Sequence, residues 1–355
     1  MQVSFDIRWR VGHEGQPLDP RLFELLSAIA EAGSLQRGAA LVRLSYRHAW
    51  GLLQRWEALL GQPLVKLERG RGARLTALGE KLLWADRRVA ARLAPELESL
   101  ASALRGELAQ MLGSQQPPPL RICASHDLTL PPLRDLLHQQ GAAHVDLQFR
   151  GSLDSLRLLA GGRCDLAGFH VAEGPLGRLL APRYRPWLSR RQRFIHVAHR
   201  QQGLMIRHAD AKGIRRVADL ARPGVRFINR QSGSGTRVLL DTLLNACGLE
   251  SARVDGYASE EFTHMAVAAM VASGAADAGF GIEAAAAQFD LHFIPVVRER
   301  YCLAVRRESL AGPAASALLL ALLSPEFKRS VRHLRGYDPG EAGTLLALRD
   351  VLPDL

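Results

Sequence analysis

The sequence has no apolar run of the roughly 18 residues that a membrane-spanning helix needs. Its start, Met1 to Arg8, alternates like a strand and has no signal-peptide core. The expectation is a cytoplasmic chain with no membrane partner. Cysteine is sparse. Cys123, Cys164, Cys247 and Cys302 are scattered through apolar segments, and no pair has zinc-ligand spacing. They read as reduced core residues. His-Glu-x-x-His and a Walker A lysine are both missing, and Gly-x-Ser-x-Gly occurs only in part, as Gln231-Ser232-Gly233-Ser234-Gly235 without its leading glycine. His126 sits beside Asp127, where the two side chains usually diverge. These gaps argue against an enzyme, and we expect no catalytic residues, no metal and no resident cofactor. Acid is also in deficit: 46 Lys and Arg face 35 Asp and Glu, a net charge of +11 and a pI near 10.2. Such a balance favours an anionic partner without identifying it. A length of 355 residues allows two or three domains with proper cores.

What is present gathers first between Gly33 and Gly79. Ala39, Ala40, Leu41 and Leu44 offer apolar contacts between two short helices, and Ser45 is a good N-cap for the second. Leu64 to Leu67 and Ala73 to Leu75 flank the tip Arg69-Gly70-Arg71-Gly72, which reads as a hairpin with arginines placed for phosphates. Arg43, Arg47, Arg55, Lys66, Arg69, Arg71 and Arg74 face only Glu57 and Glu68 across this stretch. A basic run alone is a solvated face. On a winged helix-turn-helix pattern it points to double-stranded DNA. Candidate DNA contacts are Gln36, Arg37, Arg43, Ser45, Tyr46, Arg47, His48, Arg55, Arg69, Arg71 and Arg74, with Ser45 to His48 nearest base edges. Trp50 and Trp56, at helical spacing, read as core. The segment resembles the N-terminal domain of ModE-type molybdate-responsive regulators and, more distantly, LysR-type winged helices. Gly33-Ser34, Ala39-Ala40, Ser45-Tyr46-Arg47-His48-Ala49-Trp50, Gly61, Pro63-Leu64-Val65, Leu75-Thr76 and Gly79 carry that resemblance.

Upstream, Val3 to Val11 alternates as a strand, and Asp19-Pro20 opens a helix striped by Leu22, Phe23, Leu25, Leu26 and Ile29. Downstream, Leu82, Val89, Leu93, Leu97, Leu100, Leu104, Leu108 and Met111 mark one face of a long helix that Pro95 should kink or restart. That stripe reads as a pairing surface for a second copy, giving a homodimer or higher homo-oligomer. Gly113 to Pro119 is a semi-rigid spacer.

Beyond the spacer, strands alternate with helices, which implies a parallel sheet covered on its faces. Leu120 to Ala124, His144 to Phe149 and Asp165 to His170 form one group. Val225 to Asn229 and Ala276 to Phe280 form another, and both groups contain Ala-Gly-Phe. Phe194 to Ala198, Leu204 to Ile206, Phe293 to Val297 and Tyr301 to Val305 read as crossings between lobes. Ser125, Ser152, Ser232 to Thr236 and Thr263 stand just before helices, where free N–H groups gather an oxyanion. Arg230 and Arg237 would add a charged fork, and the plain alternative is an N-cap with a glycine turn. His196, His199, His208 and His292 read as surface or strand residues without a role.

This half resembles the type II periplasmic-binding-protein fold, and more closely the cytoplasmic binding-protein-like domain fused to regulators and molybdenum-cofactor proteins. Matching strings include Ser125-His126-Asp127, Gly151-Ser152, Asp165 to His170, Asn229-Arg230-Gln231, Gly233 to Arg237, Thr263-His264 and Ala276 to Gly281. The Ser-Gly-Ser-Gly-Thr-Arg string is also similar to tungstate-binding transporter proteins. The ligand set is then Ser125, His126, Ser152, Arg230, Ser232, Ser234, Gly235, Thr236, Arg237 and His264, holding molybdate or tungstate as a small anionic effector. Nothing resembles the C-terminal β-barrels through which ModE regulators bind molybdate.

The expected architecture is multidomain: an all-α, winged helix-turn-helix DNA-binding domain (1–80), a dimerisation or linker helix (81–112), a linker (113–119) and a two-lobed α/β periplasmic-binding-protein-like domain (120–355). Lobe 1 takes about 120–198 and 299–355, lobe 2 about 199–298. The expected function is a one-component transcriptional regulator sensing that oxyanion. The alternatives are a LysR-like regulator sensing a small organic acid such as formate, or a cytoplasmic oxyanion-binding accessory protein of molybdenum-cofactor metabolism.

Overall fold

The computed structural model describes residues 3–11, 15–68, 72–111, 119–141, 144–208 and 212–352. Arg69, Gly70 and Arg71 at the wing tip, and nearly all of the 113–119 linker, lie outside the described residues. Two compact units emerge, residues 6–91 and the chain from residue 92 onward. Among the described residues no helix is long and apolar enough to cross a membrane.

In the first unit β1 (Arg10–Val11) pairs antiparallel with β2 (Gln16–Pro17). Of the strand expected from Val3 to Val11 only the last two residues pair, because alternation without a partner strand makes no ladder. α1 (Arg21–Ala32) buries Leu22, Phe23, Leu25, Leu26 and Ile29 on one face. The Asp19 carboxylate accepts the Arg21 N–H at 3.0 Å. Gly33 closes the helix at φ 63°, a conformation that costs glycine little. α2 (Leu35–Leu41) and α3 (Tyr46–Leu60) follow, with Ser45 Oγ accepting the His48 N–H at 3.2 Å as the α3 cap.

Gly38 and Ala39, not Ala40 and Leu41, make the close approach between helices; Leu41 is exposed. A Cβ on Gly38 would sit 2.9 Å from Ile29 Cγ1, so only glycine fits there. Trp56 is core as expected, but Trp50 is on the outer face. β3 (Val65–Glu68) and β4 (Gly72–Leu75) form the wing. Glu57 Oε1 accepts the Leu64 and Val65 N–H groups, and Ala73 N–H donates to Gly33 O. The wing is thus tied to the helices at both strands.

α4 (Ala77–Met111) runs unbroken through Pro95, so the proline does not restart it. From Arg92 it belongs to the second unit. There β5 (Leu120–Ala124), β6 (Val145–Phe149) and β7 (Leu166–Ala172) form a parallel group with α5 (Leu130–Gln139) and α6 (Ser152–Ala160) between them. α7 (Gly174–Tyr184) follows β7. β8 (Gln192–Ile206) then crosses the unit as one strand rather than two. β9 (Phe227–Arg230), α8 (Gly235–Ala246), β10 (Glu260–Glu261), α9 (His264–Ala272) and β11 (Ala278–Ile282) build the second parallel group. After α10 (Glu283–Gln288), β12 (His292–Arg306) crosses back, again as one strand. α11 (Pro313–Leu323) and α12 (Pro325–Arg332) pack on α5 of the first lobe. β13 (Tyr337–Asp338), β14 (Leu345–Leu346) and α13 (Leu348–Val351) finish the chain.

The sheet order is β10-β9-β11-β8-β12-β7-β5-β6, with β13 and β14 on β8. Antiparallel β8 and β12 therefore join two parallel lobes. The two Ala-Gly-Phe strings are packing devices. A Cβ on Gly168 would meet Tyr301 Oη at 2.3 Å, and one on Gly279 would meet Val267 Cγ1 at 2.4 Å. Cys123, Cys164 and Cys302 are buried and free, but Cys247 is exposed at the end of α8 rather than in the core.

Edge strand β6 has outward N–H groups that need partners. α4 supplies them. Ser102 Oγ accepts from Leu147 N–H at 3.1 Å and donates to Asp146 at 2.8 Å, and Ser99 Oγ accepts from Phe149 N–H at 3.0 Å. Ser102→Ala would leave a buried strand N–H and a carboxylate oxygen unpaired. We expect a loss of about 1–3 kcal/mol by urea denaturation. An unchanged midpoint would show that the α4 seam does not hold the edge.

Candidate functional site

A cavity of about 670 Å³ lies between the lobes. Its polar end is made where strands stop and helices begin. α6 starts at Ser152, α8 is capped by Ser234 and α9 by Thr263. The side chains of Ser234 and Thr263 accept the Arg237 and Ala266 N–H groups at 3.2 and 3.0 Å. Each helix start adds unpaired N–H groups and partial positive charge. Two of these starts nearly touch, since a Cβ on Gly235 would lie 3.6 Å from Ser152 Oγ. Among the described residues that buried hydroxyl has no hydrogen-bond partner.

Arg230, at the end of β9, is buried in the cavity wall. Its Nε donates to Gln231 Oε1 at 3.2 Å and one terminal nitrogen to the Phe262 carbonyl at 2.9 Å. Among the described residues no carboxylate pairs with it. Burial, then the neighbouring Arg200 charge, pushes its pKa down to about 9. Arg200 differs sharply. It sits opposite Glu299 in the β8–β12 register, donates from Nε at 2.9 Å, and reaches Asp127 at 3.0 Å. Burial alone would lower its pKa, but Glu299, Tyr337 and Asp127 raise it instead. Arg200 is thus neutralised from within, while Arg230 is a buried cation awaiting an anion.

Three histidines share the space. Burial, with Arg230 adding to it, holds His126 down to about 4 and His264 well below its usual value. Burial and Arg200 lower His170 as well. All three are neutral at pH 7. His170 Nε2 lies 3.0 Å from Asp127 Oδ2, and its Nδ1 lies 2.9 Å from Ser125 Oγ. Burial would raise the Asp127 pKa, but His170, Arg200 and Thr129 outweigh it and keep the carboxylate ionised. Nε2 therefore carries the proton and Nδ1 accepts from Ser125. This line has a hydrolase triad's connectivity. However, Asp127 already holds Arg200, Tyr337 and Thr129, and Arg200 opposes a second proton on His170. The line orients Ser125.

Ser125, His126, Ser152, Arg230, Ser234, Gly235, Thr236 and His264, all expected from the sequence, line the cavity together. Ser232 and Arg237 do not. Ser232 is exposed, and its N–H donates to Glu260. The Arg237 guanidinium contacts Asp241 at 3.2 Å and Glu260 at 2.8 Å and covers the Tyr257 ring, so the expected fork is a single arginine. Sequence reasoning missed His170, Arg200, Glu299 and α4. Arg92, Leu93, Glu96 and Leu100 of α4 form one wall, and Arg92 stacks 4.9 Å from the Phe262 ring centre. Spacing along one strand gives no sign of such cross-sheet partners.

In the first unit the α3 residues Ala49, Leu52, Leu53 and Trp56 face inward. Tyr46, Arg47, His48 and Trp50 face out, as do Gln36, Arg37, Arg43, Ser45, Arg55 and Arg74. Arg43 holds the turn between α2 and α3 at φ 55°. Among the described residues none of these arginines pairs with a carboxylate, and Glu57 is occupied by the wing.

A winged helix-turn-helix and a two-lobed binding domain with a cleft between its lobes define the class. Residues 133–323 match the PBP superfamily domain, and residues 20–80 match the bacterial regulatory helix-turn-helix protein, lysR family. The chain belongs to the PBP superfamily and carries a lysR-family helix-turn-helix domain at its N-terminus. It is 34% identical over 200 residues to the uncharacterized protein YvgK of Bacillus subtilis, covering 56% of this chain and 64% of that one. It is 40% identical over 70 residues to the molybdenum transport protein ModE of Herbaspirillum seropedicae, covering 19% and 26%. The chain thus spans less than two thirds of either relative. The solved structure of a Corynebacterium glutamicum OxyR C206 mutant aligns over 89% of this chain and 93% of its own, with 15% identity and a TM-score of 0.44.

Arg230→Met would remove a buried charge that has no counter-ion. We expect the ligand-free protein to melt unchanged or roughly 2–4 °C higher, the shift about 1 kcal/mol produces at this size. A fall of several degrees would reveal a neutralising partner and overturn this view of the cleft.

Proposed function

We propose that the chain is a one-component transcriptional regulator whose α2, α3 and wing bind double-stranded DNA and whose cleft senses a small oxyanion, molybdate or tungstate. One observation carries the sensing: buried, unpaired Arg230 opens on a cleft ringed by three helix starts and the unpartnered Ser152 hydroxyl. Hydroxyls and helix N–H groups suit a tetrahedral dianion, because they supply many donors with little formal charge. The molybdenum in the name of ModE favours the metal oxyanions, although that relative matches a short part of this chain. An effector in the cleft touches α4, the helix that leads back to the wing, so its preference for one lobe arrangement is passed along that helix. Met111, 83% exposed at the end of α4 and outside the cavity, supports pairing with a second copy.

A second reading rests on cavity size. Leu93, Leu100, Phe149 and Phe262 line its other end, which suits the apolar body of an organic acid. Thermal-shift titration of the full chain with molybdate, tungstate, sulfate, phosphate and a series of carboxylates separates the two. Stabilisation by molybdate or tungstate alone supports the first reading. Stabilisation by carboxylates alone replaces it.

An anion that takes the Ser125 hydroxyl's hydrogen bond leaves His170 Nδ1 without a donor, and its negative charge offsets Arg200 and favours a proton there. The free-state pKa of His170 is depressed and a bound anion raises it, so binding takes up protons. Affinity should therefore tighten from about pH 8 to about pH 6. A flat profile would exclude His170 from the coupling.

On the DNA side, Arg74→Ala should weaken binding on all sequences and reduce the salt slope by about one unit. An unchanged slope would remove β4 from the DNA face.

A further inference from the structure

A second cluster lies on the other face of β8, away from the cleft. Cys302 opposes His196 in the β8–β12 register, and Tyr301 opposes Ala198, so Val197 is an extra residue on β8. In a regular strand His196 and His199 would point to opposite faces. The bulge at Val197 returns them to one face. Their rings lie 4.6 Å apart, and both are buried. Glu341 completes the group, with one ligand atom from each residue lying within 4.8 Å of the others.

We propose that His196, His199 and Glu341 bind a divalent transition-metal ion of the zinc class. Among the described residues neither nitrogen of buried His196 has a hydrogen-bond partner, a state that costs free energy unless a ligand satisfies it. His199 Nδ1 lies 2.8 Å from Glu173 Oε1, off the line of a good hydrogen bond, and this leaves Nε2 directed at Glu341 Oε2, 3.5 Å away. Tetrahedral zinc with bonds near 2.0–2.1 Å spaces its ligand atoms by roughly 3.3 Å. The His199–Glu341 pair is already close to that, and His196 needs a small shift.

The carboxylate is held in register by the histidine it would partner. His196 N–H donates to Thr344 O, and Gly343 N–H donates to His196 O, so the turn carrying Glu341 is fastened to β8 at His196 itself. The nearby cations are balanced. Arg300 and Arg298 lie 3.7 and 3.6 Å from Glu173, and Arg298 also reaches Asp338 at 3.3 Å. Glu341 is 60% exposed at its side chain and gives an ion its way in. The site is independent of the cleft, and of whether the cleft takes an oxyanion.

The test is isothermal titration of the EDTA-treated full chain with zinc chloride, in a Cys247→Ser background that removes the exposed thiol. We expect one zinc per chain. His196→Ala should abolish it, and Glu341→Ala should weaken it roughly tenfold or more. Cobalt in place of zinc should give the absorption bands of a four-coordinate site, lost in both variants. The exposed Glu341 side chain makes its replacement harmless to folding, so that variant decides the matter even if His196→Ala is unstable. The proposal is overturned by no saturable zinc binding, or by binding whose stoichiometry and affinity both variants leave unchanged.

Discussion

The second unit depends on the pairing of β8 with β12. Two 15-residue strands run antiparallel through both lobes, and everything else is hung on them. Their register places Arg200 opposite Glu299 on the face that floors the cleft. Gln202, two residues along on the same face, donates to the same Glu299 oxygen at 2.6 Å. The register is not uniform. Pro295, which has no N–H to give, is followed by an extra residue, Val296, on β12. Val197 is the matching irregularity on β8. One ladder thus presents an ion-pair floor to one side and a histidine pair to the other. A one-residue slip would exchange the two faces.

The helices and short parallel strands were legible because their signals are local. Ser45 caps α3, the α1 stripe is buried as spaced, and the helix starts at Ser152, Ser234 and Thr263 do converge. The crossing strands were legible only as fragments. Gln201, Gln202 and Gly203 interrupt the apolar run of β8, and Arg298 to Arg300 interrupt that of β12. Those polar residues are where the strands pass the cleft, so the interruption marks the site and not a strand end. The same cause hid Asp127's partner. Its sequence neighbour is His126, yet it bonds to His170, 43 residues on, because β5 and β7 are adjacent and parallel. Arg237 failed as a ligand for a different reason: its helix position sets it beside Asp241, and Tyr257 lies under it.

The two buried arginines show what sequence cannot supply. Both are basic residues on strands, Arg200 midway along β8 and Arg230 at the end of β9, and nothing in their neighbourhoods separates them along the chain. Arg200 meets two carboxylates, from β12 and from the loop after β5, and becomes part of the scaffold. Arg230 meets a carbonyl and an amide, neither of which can neutralise it. Paired charge and unpaired charge have opposite consequences. Breaking the Arg200 network would leave buried carboxylates uncompensated, whereas the Arg230 charge already stands uncompensated.

That asymmetry bears on how the cleft can act. On the proposed reading an anion would neutralise Arg230 and so change the electrostatic cost of bringing the lobes together, whereas Arg200 is already neutralised by Glu299 and Asp127. α4 is attached to both lobes: its Arg92 rests on Phe262 of one while its Ser99 and Ser102 hold the edge strand of the other. A ligand that draws the Arg230 lobe inward pulls on one attachment of that helix against the other. The coupling is limited by the difference in ligand affinity between the two arrangements.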